Sequence, residues 1–355
     1  MLIERHIAFW TAALFVFIAL LWLLSPILLP FVLGMALAYL LDPLVNWLSK
    51  HGMSRLVAAL LILGAFVLAF ALLLLFIAPV LAAQFSAFID NVPGYVQALQ
   101  SLVSDPNHPW LKRTIGDNLV GADKSVGALM NQMIGYLTQL IASLWTRGRA
   151  LLSIFSLLII TPVVAFYLQC DWDRMVNSVD RLIPLPQRDT VRALAREIDA
   201  AISAYVRGQS GLCLILGSYY ALGLTLAGLS FGLLIGVVSG IISFIPYVGS
   251  LTALVLSLGV ASAQFFPDWT RILIVAGIVI FGQFFEGYVL APKLVGKSVG
   301  LHPVWLIFAL FAFGYLFGFV GLVLAVPLAA AAGVLTRFAL ERYRASPFYT
   351  GSTLT

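Results

Sequence analysis

The chain of 355 residues is 62% hydrophobic and only 10% charged, and it carries a formal net charge of +5. Soluble domains carry roughly 25% charged residues, so this composition excludes a soluble globular protein and favours a helical membrane protein whose apolar side chains face lipid. The basic residues are spread over short loops and form no patch with interleaved aromatics, which argues against a nucleic-acid partner.

Apolar runs divide the chain into candidate membrane spans. The first run is too long for a signal peptide, and no small-residue cleavage site follows it, so we expect a retained span. Ser25-Pro26 and Pro30 then interrupt the chain and predict a hairpin. The predicted fold is all-α and polytopic, with about eight spans. Runs near or above the ~18-residue threshold cover 7–24, 56–78, 151–169, 210–228 and 270–291, and shorter or broken ones cover 27–41, 231–265 and 303–337.

Loop charges predict the orientation of the spans. Basic residues concentrate on the cytoplasmic side of membrane proteins, and Arg5, Lys50, Arg55 and Arg337 flank the runs so that both termini lie in the cytoplasm. The polar segment after the third run is then extracytoplasmic, as a cap or oligomer contact or alternatively as a substrate gate. The predicted parts are N-terminal transmembrane helices (1–78), the extracytoplasmic helical segment (79–148), a transmembrane helix (149–169), a cytoplasmic amphipathic segment (170–208), a transmembrane transport region with hairpins (209–340) and a cytoplasmic tail (341–355).

The segment 170–208 is the most charged part of the chain. Within it, Val191, Leu194, Ile198 and Ile202 recur at the spacing of one helical face. This pattern predicts an amphipathic helix that lies along the inner membrane surface or packs on the bundle.

The C-terminal half contains an internal repeat. "GLSFGLLIGVVSGIISFIPYVGSL" begins at Gly228, and "GLHPVWLIFALFAFGYLFGFVGLV" begins at Gly300. With a constant offset of 72 the two stretches share several identical residues, among them Gly249 and Gly321. Self-similarity of this kind indicates a repeated structural unit.

A Gly-Gln pair stands before each repeated stretch, as Gly208-Gln209 and as Gly282-Gln283. The loop charges give the two units opposite orientations in the membrane. The sequence therefore predicts an inverted repeat with broken helices, an arrangement that recurs in secondary transporters.

The stretch "FIPYVGS" predicts a re-entrant hairpin in the first unit. The flanking apolar segments, 231–245 and 251–265, are short for a span of ~20 residues. Pro246 removes a backbone donor and Gly249 relaxes the chain on either side of Tyr247, and backbone freed in this way must be buried in protein or face water. Two short tilted spans joined by a tight turn are the alternative.

Glu286 is the clearest candidate for a functional residue, because a carboxylate inside an apolar run is costly. Gln283 lies three residues earlier on the same helical face, Gly287 leaves space beside it, and Pro292 is expected to end the helix. Burial disfavours the charged form of a carboxylate, which suits proton coupling. Cation binding and a hydrogen bond to a polar substrate are equally compatible with this position.

Other polar residues have functional and structural interpretations side by side. Glu286 alternatively forms an interfacial pair with Lys293 or Arg207. Arg207 and Gln209 open the fifth span and are candidates for substrate or ion contact, although Arg207 alternatively snorkels to the interface. His302 is a candidate proton relay or a structural loop histidine.

Enzyme signatures are absent from the sequence. It contains no phosphate-binding loop, no His-Glu-x-x-His and no Gly-x-Ser-x-Gly motif. Cys170 and Cys213 are interpreted as small core residues, since two apolar-flanked cysteines make neither a disulfide scaffold nor a metal site. We therefore expect no catalytic residue, no cofactor and no metal ion.

Five stretches together resemble the autoinducer-2 exporter (AI-2E) family of bacterial membrane transporters. The resemblance implies an inner-membrane protein of about eight spans that forms oligomers. It also implies export of the quorum-sensing signal autoinducer-2 or cation/proton antiport. The stretches are "LLPFVLGMALAYLLDPLV", "YVRGQ", "SFIPYVGSL", "EGYVLAPKLVGKSVGLHP" and "GLVLAVPLAA", and they span nearly the whole chain in this order.

Residues and resemblance together predict a secondary-active exporter of small polar solutes that is embedded in the lipid bilayer. Glu286 is its expected coupling or substrate-contact residue, with a proton or a monovalent cation as partner. A hairpin-bearing unit is expected to move against a fixed homo-oligomeric scaffold. The alternatives from other classes are a passive channel and a scaffold that regulates envelope proteins.

Overall fold

The computed structural model describes residues 2–104, 149–295, 302–346 and 349, and all regular structure in these ranges is helical. The predicted all-α class is confirmed. Most of the predicted extracytoplasmic segment, residues 105–148, lies outside the described residues. The elements are α1 (Leu2–Lys50), α2 (Arg55–Ser104), α3 (Arg149–Asp180), a 3-10 turn (Leu185–Gln187), α4 (Arg188–Leu226), α5 (Gly232–Ile242), α6 (Val248–Phe265), α7 (Trp269–Phe285), a π-helix (Glu286–Val295) and α8 (Pro303–Arg344).

Within the described ranges, six helices are long and apolar enough to cross a membrane. A chain with this many apolar helices is a polytopic membrane protein, as predicted, whereas the count of about eight spans stays a prediction. The six stretches are Ile27–Lys50, Arg55–Asn91, Leu185–Leu226, Val248–Phe265, Trp269–Val295 and Pro303–Arg344.

The N-terminal helix α1 is continuous over 49 residues and passes through Ser25-Pro26 and Pro30. The predicted hairpin between the first two apolar runs is therefore wrong. A proline removes only one backbone donor from a helix, and membrane helices tolerate this loss where neighbouring groups satisfy the freed carbonyl.

Two further helices run across boundaries at which the sequence changes composition. α2 remains helical to Ser104 although the polar segment begins at residue 79. α4 joins the predicted amphipathic segment and the fifth span in one helix of 39 residues. Three of the four residues of the predicted amphipathic face, Leu194, Ile198 and Ile202, are half-buried. The fourth, Val191, is 37% exposed.

By internal packing the chain forms two compact units. Unit 1 comprises Met1–Leu68, Ile159–Leu212 and Gly287–Thr355, and unit 2 comprises Ala69–Leu158 and Cys213–Glu286. α2, α3 and α4 each contribute residues to both units.

In unit 1, Arg55 at the start of α2 joins three helices. Its Nε donates to the carbonyl oxygen of Gln169 at 2.7 Å and its Nη1 donates to Asp173 at 2.9 Å, both on α3. Its Nη2 lies 3.7 Å from Asp42 of α1. Charge-assisted hydrogen bonds of this kind are stronger than neutral ones, so one arginine connects α1, α2 and α3 at the end of the bundle.

Unit 2 contains the first hairpin, formed by α5, a turn over residues 243–247, and α6. Tyr247 in the turn has a φ of 68°, and Gly249 lies directly on Ser243, so that a Cβ atom has no room there. α5 has 11 residues, or about 17 Å at 1.5 Å per residue, against a hydrocarbon core of ~30 Å. The first arm is therefore shorter than the hydrocarbon core, whereas α6 with its 18 residues is long enough to cross it. The re-entrant form of this hairpin stays a prediction.

The buried start of α5 is anchored by side-chain hydrogen bonds within unit 2. The backbone N–H of Leu234 donates to Oε1 of Gln84 on α2 at 3.0 Å. Gln264 of α6 accepts from the backbone N–H of Ser230 at 2.8 Å and donates to the carbonyl of Gly228 at 3.0 Å. These contacts satisfy groups that a helix end leaves without an intrahelical partner.

Unit 1 contains the second hairpin, formed by α8. Its helix is interrupted at Gly318, where φ is 60° and ψ is −139°. The arms are residues 303–317, about 22 Å long, and residues 319–344. Gly321 lies on the carbonyl of Phe313 with no room for a Cβ atom, so the arms are antiparallel at the tip. The predicted turn near "GYLFGFVG" is confirmed.

The two hairpins correspond at their tips. Gly249 and Gly321 are equivalent residues of the predicted repeat, each follows a positive-φ residue closely, and each packs on the preceding arm. This correspondence supports the internal repeat. The inverted orientation of the two repeated stretches in the membrane stays a prediction.

Candidate functional site

Glu286 lies where α7 changes from α-helical to π-helical hydrogen bonding. π-helical turns within α-helices are rare and occur frequently at functional sites. The helical conformation continues through Pro292 to Val295, so the expectation that Pro292 ends the helix is wrong. The change in helix type occurs at the carboxylate instead, and Pro292 is exposed within the π-helix.

The Glu286 carboxyl is half-buried in unit 2. Its Oε2 atom is buried and has no hydrogen-bond partner among the described residues. The carboxyl lies within electrostatic range of the Tyr220 hydroxyl and the Cys213 thiol, both on α4. A buried carboxyl oxygen without a protein partner is costly, and it is available to bind a proton, a cation or a polar solute.

Gln283 connects α7 to the first hairpin. Its Nε2 donates to the carbonyl of Ser250 in the first turn of α6 at 3.4 Å, a long hydrogen bond. The turn before it contains Pro246, half-buried, and Tyr247, which is 53% exposed. The structure thus places Gln283, Glu286, Pro246, Tyr247 and Gly249 in one compact unit, with Gln283 bonded to the hairpin that holds the last three.

The other predicted site residues belong to unit 1. Arg207 is exposed and donates to the Ser203 hydroxyl at 2.9 Å on its own helix. Gln209 is buried, with 5% of its surface exposed. His302 caps the N-terminus of α8, where its Nδ1 accepts from the backbone N–H of Val304 at 3.4 Å. Its position agrees with the structural interpretation of a loop histidine.

Three buried hydroxyls of unit 2 were missed by the sequence reasoning. Tyr220 on α4, Ser239 on α5 and Ser257 on α6 are each 0% exposed. None of their hydroxyl oxygens has a hydrogen-bond partner in the described part of the chain. Serine and tyrosine within apolar runs give no periodic signal. The one available signal was Gly282, whose missing side chain makes room for the Tyr220 ring.

Asp180 lies outside the six apolar stretches and pairs with Arg192 at the junction of α3 and α4. Arg192 donates to both carboxylate oxygens of Asp180, at 2.7 and 2.6 Å. This hydrogen bonding holds the pKa of Asp180 below its ordinary value. The pair connects two helices of unit 1 and involves none of the predicted site residues.

A groove of about 500 Å³ in unit 1 lies between the first turns of α4 and the last turns of α8. Its wall contains an ion pair of 2.8 Å between Arg337 and Glu197. None of the predicted site residues lines it. In the described ranges, no three His, Cys, Asp or Glu side chains are grouped as metal ligands.

Comparison with known proteins identifies relatives over nearly the whole chain. Residues 11–341 match the pattern of the AI-2E family transporters. YrrI of Bacillus subtilis is 30% identical over 318 residues, which cover 88% of this chain and 87% of YrrI. The AI-2 transport protein TqsA of Escherichia coli is 25% identical over 324 residues, which cover 90% of this chain and 86% of TqsA. YueF of Bacillus subtilis is 28% identical over 325 residues, 90% of this chain and 86% of YueF.

The chain therefore belongs to the AI-2E family and is a multi-pass membrane transporter of a bacterial family. The resemblance seen in the five sequence stretches is confirmed.

Proposed function

We propose that this member of the AI-2E family is a secondary-active exporter of small polar solutes such as autoinducer-2, with Glu286 as its coupling residue. The proposed location is the bacterial inner membrane, with both termini in the cytoplasm and a homo-oligomeric assembly. The observation that carries the proposal is the buried Oε2 atom of Glu286, which has no hydrogen-bond partner in the described residues.

A coupling residue must exist in two charge states within one transport cycle. A carboxyl group held by an ion pair is fixed in its charged state, whereas Glu286 has no ion-pair partner among the described residues of its own unit. Its carboxyl takes up a proton on one side of the membrane and releases it on the other. The proton gradient then drives solute in the opposite direction.

The local backbone suits such a site. A π-helix leaves wider hydrogen-bond rings than an α-helix and is compatible with local rearrangement. The Gln283 amide connects this junction to the carbonyl of Ser250 by a long hydrogen bond at 3.4 Å. A change at Glu286 therefore acts on the α5–α6 hairpin through a contact that is weak enough to break.

The test measures autoinducer-2 efflux from proteoliposomes under an imposed pH gradient. Wild type is compared with Glu286→Gln, which keeps the shape of the side chain and removes its titration. We expect gradient-dependent efflux from wild type and a loss of the gradient dependence in the variant. Glu197→Gln is the matched control, because Glu197 is an exposed carboxylate in an ion pair with Arg337, and its efflux should equal that of wild type.

Two results contradict the proposal. Wild-type efflux that ignores the pH gradient indicates a passive channel or uniporter. Gradient-dependent efflux that survives in Glu286→Gln shows that the coupling group lies elsewhere and that Glu286 is structural.

A further inference from the structure

Tyr220 of α4 is fully buried, and its ring ends on α7. A Cβ atom built on Gly282 lies 2.6 Å from the Tyr220 hydroxyl oxygen and 2.7 Å from its Cζ atom. Contacts this short leave no room for a larger residue unless the Tyr220 ring moves. The hydroxyl of Tyr220 is therefore held at the surface of α7, at the position of Gly282.

Glu286 lies one helical turn after Gly282. Residues four apart share a face of a helix, so the Glu286 side chain stands on the same side of α7 as the Tyr220 hydroxyl. The two groups lie within electrostatic range of each other. Neither the Tyr220 hydroxyl nor Oε2 of Glu286 has a hydrogen-bond partner among the described residues, and both atoms are buried.

The neighbouring Tyr219 provides a comparison, because its hydroxyl has a protein hydrogen-bond partner. Tyr219 donates from its hydroxyl to the carbonyl of Ile278 at 2.9 Å. The two tyrosines are adjacent in the same helix and both reach α7. Buried hydroxyls are normally hydrogen-bonded. The Tyr220 hydroxyl has no such partner in the described part of the chain and faces the same side of α7 as Glu286, so it needs an explanation that the Tyr219 hydroxyl does not.

We propose that Tyr220 is a substrate-binding residue and that its hydroxyl and the Glu286 carboxyl together bind a hydroxyl group of the transported solute. One solute hydroxyl satisfies both atoms, because it accepts from the Tyr220 O–H and donates to the carboxyl oxygen. Such a pair selects hydroxylated solutes over isosteric apolar ones, since an apolar group leaves both protein atoms unpaired. This inference rests on the proposed transport function and adds a residue that selects the substrate.

The experiment compares Tyr220→Phe with Tyr219→Phe in the full-length protein. KM and the maximal rate of autoinducer-2 efflux are measured in proteoliposomes, and the thermal unfolding midpoint is measured in detergent. We expect Tyr220→Phe to raise KM about tenfold, the loss of one hydrogen bond to a charged or polar group, with an unfolding midpoint equal to or above that of wild type. Tyr219→Phe should show the opposite pattern, a lower midpoint and an unchanged KM.

The outcomes separate this inference from the proposed function. If wild type exports autoinducer-2 and Glu286→Gln removes the gradient dependence, an unchanged KM in Tyr220→Phe overturns the role of Tyr220 alone. A raised KM for Na⁺ exchange with an unchanged KM for autoinducer-2 also overturns it, because the pair then binds a cation. If wild type transports no autoinducer-2 under any gradient, the proposed export of this solute fails and the inference fails with it.

Discussion

The two hairpins have the same construction at their tips and different interiors. In each, a positive-φ residue precedes a glycine that packs on the opposite arm, Tyr247 before Gly249 and Gly318 before Gly321. In α8 every buried residue is apolar, proline or glycine. The first hairpin instead buries the polar residues Ser239, Ser243 and Ser257.

This difference supports the proposal that the functional site lies beside the first hairpin. The interior of the second hairpin is apolar, so the hydrophobic effect alone accounts for its packing. In the first hairpin the hydroxyls of Ser239 and Ser257 are buried and have no hydrogen-bond partner among the described residues, which costs stability. Natural sequences accept such costs mainly at functional sites, and the first hairpin shares unit 2 with Glu286 and Tyr220.

The largest expected effect comes from substituting the closely packed glycine at the tip of each hairpin. Gly249→Ala and Gly321→Ala each place a Cβ against the opposite arm, which includes backbone atoms of Ser243 and the Phe313 carbonyl. Each variant should lose about 3 kcal/mol of unfolding free energy, at the upper end for overpacking. Equilibrium unfolding in mixed detergent micelles measures the loss.

The matched control for the tip glycines is Gly259→Ala on α6. A Cβ atom there meets nothing within 4 Å, and alanine favours a helix over glycine by about 1 kcal/mol. Gly259→Ala should therefore equal or exceed wild type in stability. A tip variant as stable as this control would show that the close contacts at the tips are not needed for folding.

A smaller effect distinguishes the two Gly-Gln pairs. Gly208→Ala meets the backbone carbonyl of Leu294, whereas Gly282→Ala meets only the end of the Tyr220 ring. We expect a loss of about 2 kcal/mol for Gly208→Ala and about 1 kcal/mol for Gly282→Ala, because backbone yields less than a side-chain tip.

The effect on transport should be larger for Gly282→Ala, although the loss of stability should be larger for Gly208→Ala. Gly282→Ala displaces the Tyr220 hydroxyl and should raise the KM of autoinducer-2 efflux, while the properly folded fraction of Gly208→Ala should keep the KM of wild type. Comparing KM and maximal rate at equal amounts of folded protein tests this. Equal KM values for the two variants would contradict a special role for the second pair.

The third prediction concerns buried hydroxyl groups, which one variant removes from the first hairpin and another adds to the second. Ser257→Ala removes a buried hydroxyl that has no hydrogen-bond partner in the described ranges, and it should stabilise the protein by about 1 kcal/mol. Ala325→Ser adds a hydroxyl at a fully buried position of α8 and should destabilise it by about the same amount. Unfolding in mixed micelles measures both changes, and a loss of stability in Ser257→Ala would mean that its hydroxyl has a structural partner.

The smallest effect concerns the pair that lies in neither hairpin. Asp180 has a lowered pKa because Arg192 donates to its carboxylate, so the carboxylate stabilises the fold above its unfolded pKa of about 4. That contribution is lost as the pH falls below about 4 and through the lowered folded pKa. Asp180→Asn should therefore unfold at a slightly lower temperature than wild type at pH 7.

The pH dependence of this difference provides the test. The gap in unfolding temperature between wild type and Asp180→Asn should shrink as the pH falls below about 4. The unfolded state then binds a proton at Asp180, and the folded state follows only at its lowered pKa. Added salt should narrow it at pH 7, since exposed ion pairs are screened. A gap that is constant from pH 7 to pH 3 would rule out the carboxylate charge as its cause.

Several elements were predictable from local residue patterns. The apolar spacing that begins at Val191 predicted a face of α4 that is half-buried from Leu194 onward. The turn of the second hairpin followed from its glycines. The hairpin expected at Ser25-Pro26 and Pro30 was wrong. A proline removes one backbone hydrogen bond from a membrane helix, and whether the helix bends there depends on the groups that pack around it. The same reason explains Pro292, which lies inside the π-helix.

The candidate site also contains one residue that the sequence predicted and one that it did not. Glu286 was identifiable because a carboxylate in an apolar run stands out in any composition count. Tyr220 was not, because a tyrosine in an apolar helix has no distinctive spacing, and only the contact with Gly282 shows where its hydroxyl ends.

The sequence by itself therefore determined that this protein is an all-α membrane transporter of the AI-2E family with one conspicuous carboxylate, and it predicted a glycine-marked repeat. Hydropathy and motif order are properties of the chain read residue by residue, so no packing information is needed to recognise them. Only the tertiary structure decided which prolines leave a helix intact and where α7 becomes a π-helix. It also decided which buried hydroxyls have no partner among the residues that the structure describes. Those outcomes depend on contacts between residues far apart in the chain, such as Gly282 with Tyr220 and Gly208 with Leu294.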